Sequence, residues 1–311
     1  MPKTYQVITI GSALVDIFIH THKFQVKNTQ DGTMLCQSYG SKLEVDDFKV
    51  FTGGGASNTA VGFSRLGFHS GIICETGRDG FSDLVIRDLK QNGVATNLVI
   101  SEKKEQTGGS VILVCSNGER SVLVHRGAAA MLDPFDIPAY WLTQAQQVHL
   151  CSIGGQQLTL EKIFQFISRS EQTTLSWNPG KKELFLLANR QLLVDQIPCE
   201  IFLVNEEEWK IVSEIQGEIL KNFKYVVVTA GKKGGNVYYG QKSFHFSAQS
   251  SRVVDTTGAG DSFATGFVAA MLWGKNPEEA AFFGAKNAAS VVTYYGAKTG
   301  LLTREDFLNH D

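Results

Sequence analysis

Asp255-Thr256-Thr257-Gly258-Ala259-Gly260-Asp261-Ser262-Phe263 reads as a glycine turn that opens a helix, because a run rich in small residues, 263–272, follows it. Such a turn presents backbone N–H groups without partners, and the helix dipole adds partial positive charge, so the place suits a phosphate. A carboxylate there would repel that anion. Asp261 makes sense as a base that accepts a hydroxyl proton while neighbouring amides stabilise a transferring phosphoryl group. A bare Gly-x-Gly-Asp is equally well read as a helix cap behind a tight turn, but the nine-residue string is far more specific.

Outward from this stretch, short apolar runs alternate with longer segments of helical period. Residues 7–10, bounded by Gly11, read as a buried strand, and so do 71–74, 147–150, 175–177, 201–204 and 225–228. Between them lie helical segments at 57–66, 83–92, 160–168, 206–220 and 261–273. That rhythm predicts an α/β protein with a mostly parallel central sheet and helices on both faces. Two stretches, 17–51 and 105–126, instead alternate apolar with polar residues, and the second holds a hairpin signal at Asn117-Gly118. The expected organisation is a main domain of 1–16, 52–104 and 127–311, with 17–51 and 105–126 forming a small β-sheet lid subdomain. Ligands of open parallel sheets sit at the carboxyl ends of the strands, where the motifs fall.

The 255–263 string resembles the C-terminal signature of the ribokinase-like (PfkB) family of carbohydrate and nucleoside kinases. The resemblance extends from Gly11 to about Gly296, with separate motifs in the family's order, and no G-x-x-x-x-G-K-[ST] loop occurs. It implies a ribokinase-like fold and transfer of the γ-phosphoryl group of ATP to a hydroxyl of a small sugar-like molecule. It also implies Asp261 as catalytic base and the amides of Gly258, Ala259 and Gly260 as the anion hole.

At the acceptor end, Asp16 closes the string Gly11-Ser12-Ala13-Leu14-Val15-Asp16 after the first strand. A carboxylate so placed can accept hydrogen bonds from adjacent sugar hydroxyls, although a turn-capping Asp is commoner in general. The resemblance implies the substrate role. Phe51-Thr52-Gly53-Gly54-Gly55-Ala56-Ser57-Asn58 is a second glycine turn opening a helix, and it allows close backbone approach. Asn58 can donate and accept at once. The string is similar to the family's N-terminal signature, which implies that Gly53, Gly54, Gly55 and Asn58 contact the acceptor. Some members carry Lys or Asp where this chain has Gly55, and those acting on phosphorylated sugars use added basic residues. The implied acceptor is therefore unphosphorylated. Arg126 would reverse this if it faced the pocket, and an exposed strand-end arginine is the alternative.

At the nucleotide end, Asn205-Glu206-Glu207-Glu208 has the acidic first turn that a helix dipole favours. The spacing of Asn205 and Glu208 resembles the family's Asn-x-x-Glu motif, which implies that Glu208 holds Mg²⁺ through water. Thr229-Ala230-Gly231-Lys232-Lys233-Gly234 resembles the family's nucleotide turn, implicating Thr229, Gly231 and Gly234, and a plain hairpin explains it equally well. Asn287 lies in the segment that packs near adenine in relatives. Many relatives also bind a monovalent cation such as K⁺, and Asp255 and Thr257 sit where that loop would be.

Composition narrows the alternatives. The chain has 29 basic and 31 acidic side chains without a basic stripe, which argues against a nucleic-acid partner. Its 5 cysteines are scattered with no CxxC pair, fitting a reducing cytoplasm and offering no zinc site. The N-terminus shows no signal-peptide core, and no apolar run approaches the ~20 residues of a membrane helix, so a soluble cytoplasmic protein without a membrane partner is expected. His20 and His22, without a third ligand nearby, read as lid surface. An exposed β lid is also a candidate surface for a homodimer. A catalytically silent sugar- or nucleotide-binding protein of the same fold is opposed by the intact Asp261. A nicotinamide-dependent dehydrogenase is opposed by the lack of G-x-G-x-x-G after the first strand. Sugar and nucleoside acceptors stay open, because both present vicinal hydroxyls to the same Asp.

Overall fold

The computed structural model describes residues 4–30, 32–101, 104–115 and 120–308. Strand Val7–Ile10 lies inside the main sheet, paired in parallel with Ser70–Ile73 on one side and Gln147–Leu150 on the other. The parallel order continues through Thr174–Trp177, Ile201–Asn205 and Tyr225–Thr229. Strands Gly235–Tyr239 and Lys242–Phe246 complete the 8-stranded sheet as an antiparallel edge.

The two-residue period of a strand sends alternate side chains to opposite faces, which is why these strands read as unbroken apolar runs. Phe202 and Val204 pack with Trp177, Leu184 and Ile219 on one face. Ile201 and Leu203 pack with Phe63, Phe263 and Phe267 on the other. The sheet is thus covered by helices such as Gln157–Ile167 and Lys181–Ala188 on the first face, and Gly55–Arg65 and Ala259–Leu272 on the second. Each fully buried Phe, Leu or Ile contributes about 1.5–3 kcal/mol relative to exposure. The segment 206–220 departs from the expected single helix. It is divided into Glu206–Ile211, a short 3₁₀ turn at Ser213–Ile215, and Gln216–Asn222. The interruption lets Val212 and Ile215 both enter the core.

A second, 4-stranded sheet has the order Arg120–His125, Gly109–Val114, Leu14–His20, Asp47–Gly53. The expected Asn117-Gly118 turn lies outside the described residues. Leu14–His20 follows closely on Val7–Ile10, so the small sheet springs from the carboxyl end of a main-sheet strand. One of its faces carries Asp16, Phe18, Ser110 and Ile112, all buried, and Phe18 meets Phe51 and Tyr295 edge-on. Near its root the opposite face packs Val15 and Ile17 against Val85 and Leu89 of helix Gly80–Gln91. Farther out that face exposes Phe48, Val50 and Leu123. Among the described residues no helix is long and apolar enough to cross a membrane.

Candidate active site

Helix Ala259–Leu272 begins at Gly258, whose φ of 76° lies in the left-handed region. A side chain there would be strained by that dihedral and would also collide with Ala297, so glycine alone fits the turn. The turn aims the first-turn amides, together with Asp261, at the carboxyl end of the sheet. Of the three amides expected to form an anion hole, that of Ala259 already donates to the Thr256 carbonyl at 3.2 Å.

Asp261 is partly buried, and Asn58 Nδ2 donates to its Oδ2 at 2.8 Å across 203 residues of sequence. Burial pushes the Asp261 carboxyl up to about 6 from 3.8, against the opposing pull of the Asn58 bond, with the negative charges of Glu208 and Asp16 adding to the rise. Asn58 is 5% exposed, and its Oδ1 is buried without a partner. An unsatisfied buried acceptor costs about 1–3 kcal/mol, so its persistence beside a carboxylate is the mark of a site awaiting a donor.

Asp16 is 8% exposed and accepts a short hydrogen bond from Ser110 Oγ. Burial raises its pKa, with Ser110 and the charge of Lys298 opposing. Gly53 lies against the Asp16 carboxylate so closely that a Cβ would overlap Oδ2. Gly55 in turn lies near Asp261 Oδ1. Ser12 holds the turn from below: its carbonyl accepts from Ala56 N and Ser57 N, and its Oγ accepts from Gly55 N. The Gly53–Gly54–Gly55 turn and Asn58 therefore bridge the two carboxylates, one on the small sheet and one on a helix packed against the large sheet. Arg126 is exposed on the surface.

A cavity of about 260 Å³ runs from the Asp261 helix toward the sheet edge. Thr229, Gly231, Lys232 and Gly234 line one end, Thr256 and Gly260 another, and Ala285, Ala288 and Val292 its apolar wall. The 229–234 segment is also a hairpin turn between antiparallel strands, as the alternative reading expects. Asn287 is displaced from its expected role. It is fully buried, Nδ2 donates to the Ser262 carbonyl at 2.8 Å and Oδ1 accepts from Leu302 N at 3.0 Å, so its polar atoms tie its helix to the Ala259–Leu272 helix and to the 301–303 segment while its alanine neighbours face the cavity.

Asn205 and Glu208 cap their own helix reciprocally, with Oδ1 of Asn205 accepting from Glu208 N at 2.9 Å and Glu208 Oε2 from Asn205 N at 2.9 Å. The helix-end reading thus accounts for Asn205. Glu208 keeps Oε1 outside this cap, and burial raises its pKa. Glu206 and Glu207 are exposed.

Asp255 Oδ1 accepts from Thr257 N at 3.0 Å, Thr257 Oγ1 at 2.7 Å and Arg120 Nη1 at 2.8 Å, while Oδ2 accepts from Gly296 N at 3.1 Å. Arg120 Nη1 and Nη2 also reach Thr257 Oγ1 and Thr256 Oγ1. The Asp255 and Thr257 side chains are thus engaged by a guanidinium from the small sheet, whereas the cation expected near them would be held by backbone carbonyls. Among the described residues no three His, Cys, Asp or Glu side chains form a metal cluster, and His22 pairs instead with Asp46. Arg120, Ser110 and Lys232 were not singled out from the sequence. Nothing in the sequence around Arg120 marks its partner 135 residues away.

Known proteins resemble this chain over nearly its whole length. The chain is 27% identical to the ribokinase of Haemophilus influenzae, over 87% of this chain and 92% of that one. It is 24% identical to the ATP-dependent 6-phosphofructokinase of Thermoanaerobacterium thermosaccharolyticum, over 95% and 90% of the respective chains. The crystal structure of the nucleoside kinase of Methanocaldococcus jannaschii superposes with a TM-score of 0.82 at 23% identity, covering 99% of this chain and 98% of that one. A family profile described as pfkB family carbohydrate kinase matches residues 6–304. The chain belongs to the pfkB family of carbohydrate kinases, phosphotransferases that take an alcohol group as acceptor.

Proposed function

We propose that the protein moves the γ-phosphoryl group of ATP onto a hydroxyl of a neutral polyhydroxylated molecule, a free sugar or the sugar of a nucleoside. The observation that carries this reading is Asp261: a partly buried carboxylate with a pKa near 6, standing in the first turn of a helix and held by Asn58. Near pH 7 such a group is mostly ionised yet basic enough to take a proton from an incoming hydroxyl. Amides of the 258–261 turn then compensate the charge that gathers on the phosphoryl oxygens.

Asp16, braced by Ser110, accepts from two acceptor hydroxyls, and the orphan Oδ1 of Asn58 takes a third. These groups carry negative charge or none, and Arg126 is exposed, as its alternative reading expects, which supports an unphosphorylated acceptor. ATP occupies the cavity between the 229–234 turn and the 285–292 wall, with its phosphates toward Gly260. Glu208, through Oε1 and water, is the residue that would hold Mg²⁺, which would supply charge neutralisation at the nucleotide phosphates. A monovalent cation beside Asp255 and Thr257 would be held by backbone carbonyls, since Arg120 engages their side chains, and no step passes through that ion.

The small sheet acts as a lid that excludes water and limits wasteful ATP hydrolysis. Positioning and electrostatics supply most of the acceleration, and the base adds about 10²–10⁴-fold. The exposed Phe48, Val50 and Leu123 on the outer face of that sheet favour a homodimer joined through it. The test of function is an acceptor panel of pentoses, hexoses, sugar acids and nucleosides in an ADP-release assay with Mg²⁺. Asp261→Asn should abolish acceptor-dependent turnover while ATP still binds. Unchanged turnover would refute the role of Asp261.

A further inference from the structure

Lys298 is a buried cation outside the catalytic groups above, 7% exposed behind the glycine turn of the acceptor end. Its Nζ donates to Thr52 Oγ1 at 2.8 Å, Ser57 Oγ at 2.6 Å and Asp88 Oδ2 at 2.7 Å. An ammonium has three protons, so this one is fully engaged. Thr52 Oγ1 donates to the same Asp88 oxygen at 2.6 Å. Thr52 and Ser57 flank the Gly53–Gly55 turn on its two sides. The turn's glycines have no side chains with which to fix themselves, and a single ammonium ties both ends.

The same short segment reaches the other half of the site. Gly296 N donates to Asp255 Oδ2 at 3.1 Å, and Ala297 fills the space that Gly258 leaves beside the anion turn. Arg65 Nη1 anchors the segment's backbone, donating to the Lys298 carbonyl at 2.9 Å and the Leu301 carbonyl at 3.2 Å. Residues 296–298 thus touch the phosphate-side turn with one end and the acceptor-side turn with the other.

We propose that Lys298 is a positioning residue for the transfer, holding the acceptor turn in register with the anion turn through Thr52 and Ser57. The role rests on the kinase reading above. Lys298 touches no substrate; it sets where Gly53 and Asn58 stand relative to Asp261. Desolvation lowers its pKa, while Asp88 and Asp16 favour the charged form that gives all three bonds.

Lys298→Met, and separately the milder double variant Thr52→Val with Ser57→Ala, test this. In an ADP-release assay well below the melting temperature, both should raise the acceptor KM by roughly tenfold or more and lower kcat, with the larger effect in Lys298→Met. The KM for ATP and the slow acceptor-independent hydrolysis should stay within about twofold, because the nucleotide cavity is untouched. A merely structural lysine would lower the melting temperature and leave the ratio of acceptor KM to ATP KM unchanged, and that outcome overturns the proposal. If Lys298→Met fails to fold, the double variant alone decides it. Hydrogen exchange gives a readout that needs no acceptor: protection across 52–60 should fall about tenfold in either folded variant while the central strands keep theirs. Unaltered protection there rejects the clamp even if no acceptor is ever found. Absence of acceptor-dependent ADP release by the wild type, with the exchange effect present, would instead sink only the kinase reading.

Discussion

The pH dependence of turnover follows from one carboxylate. With a pKa of about 6, Asp261 is roughly 90% ionised at pH 7, half at pH 6 and about 10% at pH 5. The acceptor kcat/KM, measured at saturating ATP, should then fall about tenfold between pH 7 and pH 5. At its ordinary value of 3.8 the same residue would be roughly 94% ionised at pH 5, and the loss would be under about 10%. The nucleotide also titrates in this range, so a second variant is needed. Asn58→Ala removes the hydrogen bond that favours the charged form. It should move the acid limb to higher pH, whereas a limb that belongs to ATP would stay where it is. A limb below about pH 4.5, or one indifferent to Asn58, would refute Asp261 as the titrating base.

Asp261→Asn should also stabilise the fold. A carboxyl whose folded pKa is above its unfolded value is a burden on the native state above that folded pKa, relieved as pH falls toward the unfolded value. From about 6 and 3.8 the burden is at most roughly 3 kcal/mol, and about 1–2 kcal/mol after allowing for the solvent contact Asp261 keeps; urea unfolding at pH 7.5 and pH 4 should show the gain at the higher pH and little at the lower. Gly53→Ala drives a Cβ into the Asp16 carboxylate, and should raise the acceptor KM at least tenfold with ATP binding retained by calorimetry. Arg120→Met removes the guanidinium from Asp255 and the Thr256–Thr257 pair, and should lower kcat about tenfold or more and raise the ATP KM, leaving the acceptor KM within about twofold. Light scattering should return twice the 34.1 kDa chain mass, and Phe48→Glu with Leu123→Glu should return the chain mass itself.

The parallel sheet was legible because its strands are apolar on both sides, and both halves of that reading hold: Ile201 and Phe202 are adjacent in sequence and buried on opposite faces. The family was legible because glycine at 258 and at 53 answers a local steric demand that a linear string records. What a string does not record is direction. Asn287 sits among residues that line the nucleotide cavity, yet its amide turns to Ser262, since one helical position decides which neighbour a side chain meets. Arg120 and Lys298 were invisible for a different reason. Each acts across more than a hundred residues, Arg120 on Asp255 at a separation of 135 and Lys298 on Ser57 at 241, and isolated basic residues in a mixed-charge sequence carry no mark of such partners. Glu208 shows the converse, where one acidic residue satisfies a local rule and still has an oxygen to spare.

The origin of the small sheet has a mechanical corollary. Asp16 and Ser110 ride on neighbouring strands of it, joined by their own hydrogen bond, whereas Asp261 is fixed to a helix packed on the large sheet. On the roles proposed above, any tilt at the joint between Ile10 and Leu14 would swing the hydroxyl-gripping pair as one piece past a stationary base. The distance over which a proton must hop would then be governed by a hinge angle, and an alcohol gripped off-angle would meet Asp261 out of line.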